Sequence, residues 1–480
     1  MYDVLIVGAG ITGAALAYEL SQYKLSAAVL EKEDDVAKGT TRANSAIIHA
    51  GYDPEPGTLM ARSNVKGSLL WKELAAKLGI EYKITGSLVL AYSAKEAEIV
   101  EDLYDRGIKN GVGGLRILSG AEAEKLEPNI NGGVVSALLA ETAAVINPWQ
   151  ACIALSEFAA KNSVEFFFSS EVSGVKRQDG VYTVEAYGRE FAARYVVNAA
   201  GLNAESVHAL AGGGGFGSRA VRGEYYILDK NQGDFVSRVI FRVPDASGKG
   251  VVIAPTVHGN LLVGATAEPN ADAFDVASTA RGLAAVRNEA AKLCGHIAFG
   301  ENIRNFSGNR AYIDSGDFLV AESLSAPGFI NMAGVKSPGL SGAPALAKEV
   351  VAILGSLGLS FERKSSLVEY KLPKRFAELS DEEKRDMISR DPRCGKVVCR
   401  CETVTEGEII AALRGSLAPP TVSAVKRRVN AGMGRCQGGF CSVRVHEIIA
   451  RERDIDYNQV TLDGGGSYIV TGDTKGGSSV

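Results

Sequence analysis

The chain begins with a short apolar run, Tyr2 to Val7, that ends in Gly8-Ala9-Gly10-Ile11-Thr12-Gly13. Small and apolar residues follow at packed-helix spacing from Ala14 to Tyr23, and a second apolar run, Ala27 to Leu30, stops at Glu31. Strand, glycine turn, helix and strand within about 30 residues is the opening unit of a doubly wound parallel sheet. The first glycine permits the tight turn, the second lets a pyrophosphate approach the backbone, and the third lets helix and strand pack closely. The helix start adds unpaired N–H groups for a phosphate. Gly8, Gly10, Ile11, Thr12 and Gly13 are therefore expected along the phosphates of a dinucleotide, with Glu31, 18 residues after Gly13, on the ribose hydroxyls. This unit does not choose between FAD and NAD, because both carry adenosine diphosphate.

The remainder of the chain narrows the choice. At 480 residues it exceeds what one core sustains, so two or three domains are expected. Helical sequence is expected over most of Ala94 to Leu126, a strand meander over Val164 to Val197 with a tight turn at Gln178 to Gly180, and a second strand-rich block from Ser218 to Arg310. "VVNAAGLNAESV" (Val196 to Val207) and "NMAGVKSPGLSGAPALA" (Asn331 to Ala347) are two further glycine turns, each at a strand end before a helix. Three separated segments of this kind are the layout of flavoproteins that assemble one cofactor site from distant stretches. A charged, loop-like stretch from Phe361 to Arg393 then reads as a linker with one short helix, Ser380 to Ile388, opened by a Ser-x-x-Glu capping signal.

On these motifs, residues 1–360 resemble the D-amino-acid oxidase-like superfamily of FAD-dependent oxidoreductases. "NSAIIHAGYDPEPGTLMARSNVKGSLLW" (Asn44 to Trp71), "RGEYYIL" (Arg222 to Leu228) and "APTVHGNLLVGATAE" (Ala254 to Glu268) look like both its glycerol-3-phosphate dehydrogenase and its L-2-hydroxyglutarate dehydrogenase branches. The resemblance implies a mixed α/β and α+β protein: a Rossmann-like FAD-binding domain (about 1–80, 145–215 and 315–360) interleaved with a β-sheet substrate domain (about 81–144 and 216–314). It also implies dissociable FAD and a set of contacts. Glu31 and Lys32 would lie on the adenosine ribose, and Thr40, Thr41, Asn44 and Ser45 along the pyrophosphate and flavin. Val172 would meet the adenine, Ala200 and Gly201 the ribityl side, and Gly334, Lys336, Ser337, Gly339 and Leu340 would cradle the flavin.

Flavin oxidation of an alcohol needs a base for the hydroxyl proton and fixed positive charge for an anionic substrate. Arg310, in "FSGNRAY", matches the arginine that the superfamily presents to a carboxylate or phosphate, and its planar fork can hold either. Lys336 resembles the glycerol-3-phosphate branch, and a second cation suits a doubly charged phosphate. His49 ends the apolar run "SAIIHAG" and has the near-neutral pKa of a general base, although a histidine in that setting also serves as a core residue. Arg222, Glu224 and Tyr225 can line the pocket or merely pack.

Four of the seven cysteines cluster near the C-terminus: Cys399-x-Cys401, 34 residues, then Cys436-x4-Cys441. The spacing departs from zinc knuckles and from plant ferredoxins, so a 2Fe-2S cluster, zinc or free thiols all remain open on spacing alone. "VKRRVNAGMGRCQGGFC" resembles the bacterioferritin-associated-ferredoxin type of 2Fe-2S domain, which implies that the four thiols hold such a cluster in a domain spanning 391–452, after a linker at 361–390 and before a tail at 453–480. From Asp391 to Arg451 ten Lys and Arg face five Asp and Glu, on a chain whose formal charge is −4. That basic island suits an electron-acceptor protein or partner subunit, while the overall charge argues against a nucleic-acid binder. No apolar run approaches the roughly 18 residues of a membrane span, which leaves only peripheral membrane association. The first strand starts at Tyr2, with no room for a leader, so a cytoplasmic location is expected.

Together these features point to an FAD-dependent dehydrogenase of the glycerol-3-phosphate type with a fused 2Fe-2S domain. An L-2-hydroxyacid dehydrogenase is the competing enzyme, and an electron-transfer or redox-sensing subunit the competing non-enzyme.

Overall fold

A computed structural model describes residues 1–244 and 250–472, so the end of the expected tail, 473–480, lies outside the described residues. The chain divides into two compact units: Met1–Lys32 with Ala37–Lys371, and Glu33–Val36 with Leu372–Val480. No helix among the described residues is long and apolar enough to cross a membrane.

In the first unit, β1 (Tyr2–Val7), α1 (Ile11–Leu20) and β2 (Ala27–Leu30) form as expected. β1 lies between β2 and Arg189–Asn198, parallel to both, and its near-continuous apolar run is what a strand covered on two faces requires. Val164–Phe167, read from sequence as part of the meander, instead pairs parallel with the far edge of β2. The meander proper is Val172–Gln178, Val181–Ala186 and Arg189–Asn198, turned at Asp179 and Gly180, which both take positive φ. Phe329–Ala333 extends the parallel part of this sheet beside Arg189–Asn198.

Helices cover the sheet. Leu59–Leu78 starts where the Thr58 hydroxyl accepts from the Ala61 N–H and stops at Gly79, whose φ of 70° is the left-handed cap. It packs against Gly339–Ser356 so tightly that a Cβ on Gly67 would stand 2.1 Å from the Ser341 carbonyl oxygen. Where helix was expected across Ala94 to Leu126, the chain makes helix Ala94–Lys109, strand Leu115–Ser119 and helix Gly120–Leu126. The strand is held by pairing with Ser136–Ala140, a partner that the local sequence does not announce.

A second sheet, of nine strands among the described residues, carries apolar cores on both faces. Its longest pairing sets Arg219–Leu228 antiparallel to Asn302–Tyr312, with Gly223 opposite Gly308 and Tyr225 opposite Phe306.

The second unit is built on a small core of Val398, Ile409, Ile410, Val425, Val445, Ile448 and Ile449. Capping boxes open helix Asp381–Arg390 at Ser380 and helix Glu406–Leu413 at Thr405. The helix Val422–Val429 contributes Arg427 and Arg428, which the sequence suggests as surface charge. Both are buried. Their guanidiniums donate to the Asp35 carboxylate at 2.7 and 2.8 Å, and Arg427 also reaches Asp463 at 2.8 Å. Burial works to raise the Asp35 pKa, but Arg428 and Arg427 overcome it and hold the carboxyl below its ordinary value. A lowered native pKa contributes stability above about pH 4 that is lost as pH falls through the native value. Asp35→Ala strands two buried cations, and should destabilise this unit by about 3–5 kcal/mol at pH 7. Urea titrations should find that difference shrinking below about pH 4, and a variant within 0.5 kcal/mol of wild type at pH 7 would contradict the assignment.

Candidate functional site

The glycine turn is shaped by close backbone approach. Gly8 has φ of 103°, and a Cβ there would lie 2.6 Å from the Ala199 carbonyl oxygen; a Cβ on Gly13 would lie 2.0 Å from the Gly8 carbonyl oxygen. Gly10 differs. The nearest atom to a Cβ there is Thr41 Oγ1 at 3.4 Å, so the space in front of Gly10 is not filled by protein backbone. α1 starts from Gly10 with no side chain of its own to cap it. A glycine facing open space at an uncapped helix start fits a pyrophosphate. The Glu31 carboxylate, at the end of β2, accepts from the Ala9 N–H at 2.6 Å and so braces the turn it adjoins. Lys32, exposed beside it, lies over the Phe274 ring at 5.3 Å.

The remaining expected contacts fall on three loops. Thr41 Oγ1 accepts from the Ile11 N–H at 2.9 Å, and Thr40 Oγ1 donates to the Asn309 carbonyl oxygen at 2.7 Å. Asn44 spends its side chain on its own loop, donating to the Thr41 carbonyl oxygen and accepting from the Ala46 N–H. Thr12 is buried in α1, and Ser45 is half-buried in the loop. Val172 opens the meander. Ala200 and Gly201 follow strand Arg189–Asn198, and nothing stands within 4 Å of a Cβ on Gly201. In the third loop Gly334 takes φ of 66° over Ile313, Gly339 begins the last helix of the unit, and the Leu340 carbonyl accepts from Trp71 Nε1 at 2.7 Å.

Of the three residues expected to do chemistry, His49 and Lys336 are related through one loop, and Arg310 through a shared strand face. His49 Nε2 lies 3.4 Å from Ser337 Oγ, and Ser337 follows Lys336 in the chain. Lys336 Nζ sits 4.2 Å from the centroid of the Tyr312 ring. Tyr312 and Arg310 are two apart on one strand and therefore share a face. On that face the facing glycines Gly223 and Gly308 make room for close neighbours: a Cβ on Gly223 would strike Arg310 Nη2 at 2.5 Å, and one on Gly308 would strike the Ala43 carbonyl oxygen at 2.2 Å. Arg310 is held there by the Thr266 carbonyl at 3.0 Å and the Tyr225 hydroxyl at 3.2 Å, while Tyr225 stacks on Phe306.

Of the three residues with open roles, Tyr225 thus belongs with Arg310. Glu224 is buried and accepts from the Thr279 N–H and hydroxyl, and Arg222 pairs with Asp275, so both are structural. Tyr312 and Ser337 as partners of Lys336 and His49 were not singled out by sequence; the two-residue spacing from Arg310 to Tyr312 is the signal that could have found the first.

In the second unit the four thiols form two pairs. Cys401 Sγ and Cys436 Sγ are 3.7 Å apart, and the Cys399 and Cys441 thiols are hydrogen-bonded. That bond lowers the Cys399 pKa to about 6 and drives the Cys441 pKa up. The main-chain N–H of Phe440 lowers that of Cys436. No group of three or more His, Cys, Asp or Glu among the described residues gathers as a single ion would require. Four thiols paired in this way fit the all-cysteine donor set that a 2Fe-2S cluster would need. Cys394, outside the pairs, packs beneath Gly407.

The fold and these two sites define a flavin oxidoreductase joined to an iron–sulfur module. Residues 3–353 match the model of the FAD dependent oxidoreductase family, DAO, and the chain belongs to that family. Residues 397–451 match the BFD-like [2Fe-2S] binding domain, and the cofactors are FAD and a 2Fe-2S cluster. The chain is 45% identical to the glycerol 3-phosphate dehydrogenase of Caloramator mitchellensis, over 99% of both proteins. It is 31% identical to the human mitochondrial L-2-hydroxyglutarate dehydrogenase, over 56% of this chain and 61% of that one. Its fold is similar to that of the FAD-bound, dithionite-reduced L-alpha-glycerophosphate oxidase of Mycoplasma pneumoniae, with a TM-score of 0.74 and 33% identity, covering 78% of this chain and 99% of that one.

The two kinds of glycine in the turn should separate on substitution. Gly10→Val is expected to fold and lose FAD, because its side chain would occupy the phosphate's place, whereas Gly13→Val is expected to fail to fold. Flavin absorbance and circular dichroism of the purified variants check this; full flavin occupancy in Gly10→Val would misplace the cofactor.

Proposed function

We propose that this enzyme oxidises sn-glycerol 3-phosphate to dihydroxyacetone phosphate and passes the electrons through its 2Fe-2S cluster to a protein acceptor. The observation that carries this reading is the 45% identity, running through both the flavin and the cysteine segments, to a protein named for that reaction. The arrangement around Arg310 supports it. A phosphate dianion calls for two cations, and Arg310 and the lysine over Tyr312 lie toward one strand face. Tyr225 fixes the angle of the guanidinium, so its fork needs little reordering on binding. His49, braced by Ser337, takes the hydroxyl proton at Nε2.

Bound FAD supplies the hydride acceptor, and the cluster supplies transfer of electrons one at a time. The residues of the site orient the alcohol carbon, hold its phosphate and move its proton.

Anaerobic bleaching of the flavin tests the substrate. Glycerol 3-phosphate should reduce it far better than L-2-hydroxyglutarate, and Lys336→Ala should cost about 1.5–3 kcal/mol with the phosphate substrate, roughly one to two decades in kcat/KM. Preference for hydroxyglutarate, or an equal loss with both substrates, would turn the assignment toward a 2-hydroxyacid dehydrogenase. A separate variant tests the route out. Cys436→Ser should leave bleaching by substrate intact and abolish the paramagnetic signal of the reduced cluster; a zinc content of one per chain in the wild type would instead make this domain structural.

A further inference from the structure

The two thiol pairs differ in exposure: Cys399 and Cys441 are buried, Cys401 and Cys436 exposed. The surface beside the exposed pair has an unusual make-up. Arg400, between Cys399 and Cys401, lays its guanidinium over the Phe440 ring at 4.6 Å, and Phe440 directly precedes Cys441, so the stack bridges the two ligand loops. Phe440 is 56% exposed and Val443, in the first turn of helix Ser442–Arg453, is 57% exposed. Arg444 is exposed next to it, and Glu447 is the exposed acid one turn further along. A cation-flanked aromatic and an aliphatic left open beside a redox centre have the composition of an interface core.

We propose that Arg400, Phe440, Val443 and Arg444, around the Cys401–Cys436 pair, form the docking surface for a small one-electron carrier protein with an acidic face. This rests on the reading that electrons leave through the cluster. Charge complementarity chooses the partner. Arg427 and Arg428 are held on Asp35, whereas Arg400, which adjoins Cys401, and Arg444, in the helix that follows Cys441, are exposed and available for steering. Oxidation of one alcohol to a ketone releases two electrons and two protons. The protons go to solvent, and two carrier molecules in succession each take one electron.

Plastocyanin, a small acidic one-electron carrier, and cytochrome c, a basic one, are the probes. With the full-length holoprotein reduced by dithionite, stopped-flow transfer to plastocyanin should be at least tenfold faster than to cytochrome c at low salt, and should slow as salt is raised. Arg400→Glu, with cluster content verified by visible absorption, should cut plastocyanin transfer and its affinity by surface plasmon resonance about tenfold, flatten the salt dependence, and leave bleaching of the flavin by glycerol 3-phosphate unchanged. Should Arg400→Glu lose its cluster, Arg444→Glu decides by the same measurements. Unchanged affinity and transfer in the cluster-loaded variant, or wild-type preference for cytochrome c, overturns the docking surface. A cluster that dithionite reduces but glycerol 3-phosphate does not would defeat the underlying reading instead, and leaves the docking result to stand on the dithionite arm.

Discussion

A contact with no room for a methyl group sets the geometry of the first unit. The Cα of Gly13 rests against the carbonyl of Gly8 so closely that even an alanine side chain would overlap it. That approach brings α1 down onto β1 and aims the start of the helix at the end of the strand. It also leaves Gly10 as the residue facing outward, an arrangement that would let a phosphate reach main-chain N–H groups. Gly8 repeats the constraint on the other side, against Ala199, and so fixes where the second glycine loop, Ala200 and Gly201, must run. The shape of the glycine turn follows from these backbone distances before any polar side chain is considered.

A similar economy governs the second sheet. Strand Asn302–Tyr312 carries Gly308, Arg310 and Tyr312 on one face, and the three do different things: the glycine admits the Ala43 carbonyl, the arginine offers charge, and the tyrosine seats Lys336. Because a strand alternates its faces, a single β pairing delivers all three to one place. The opposite strand completes the arrangement with Gly223, over which Arg310 lies, and Tyr225, which holds it.

Features with a local cause were legible in the sequence. The opening β1, α1 and β2, the turn at Asp179 and Gly180, and the capping box at Ser380 depend on residues within four or so positions of one another. The strand Leu115–Ser119 was not legible, because what makes it a strand is its neighbour Ser136–Ala140 rather than its own alternation. Arg310, Lys336 and His49 are candidates named by type and motif, and the sequence does not name the groups that hold them. Tyr225 meets Arg310 across a strand pairing and Tyr312 meets Lys336 from a distant loop; only the two-residue spacing from Arg310 to Tyr312 leaves a trace in the chain. Charge was misleading for the same reason. Arg427 and Arg428 count toward the basic island that suits an acceptor partner, and their counter-charge is more than 390 positions away at Asp35.

That distance bears on modularity. The iron–sulfur segment looks from its sequence like a cassette that could be cut free, moved or lost as a block. Four residues of the N-terminal region, Glu33–Val36, are nevertheless part of its compact unit, and one of them neutralises two of its buried cations. A fragment starting at Leu372 would keep, among the described residues, Asp463 as the carboxylate paired with Arg427 and would leave Arg428 with main-chain carbonyls in place of a counter-charge. The boundary that matters to heredity or to a gene designer is therefore not a single cut in the chain: any transplant of this module has to bring along a carboxylate that is encoded at the other end.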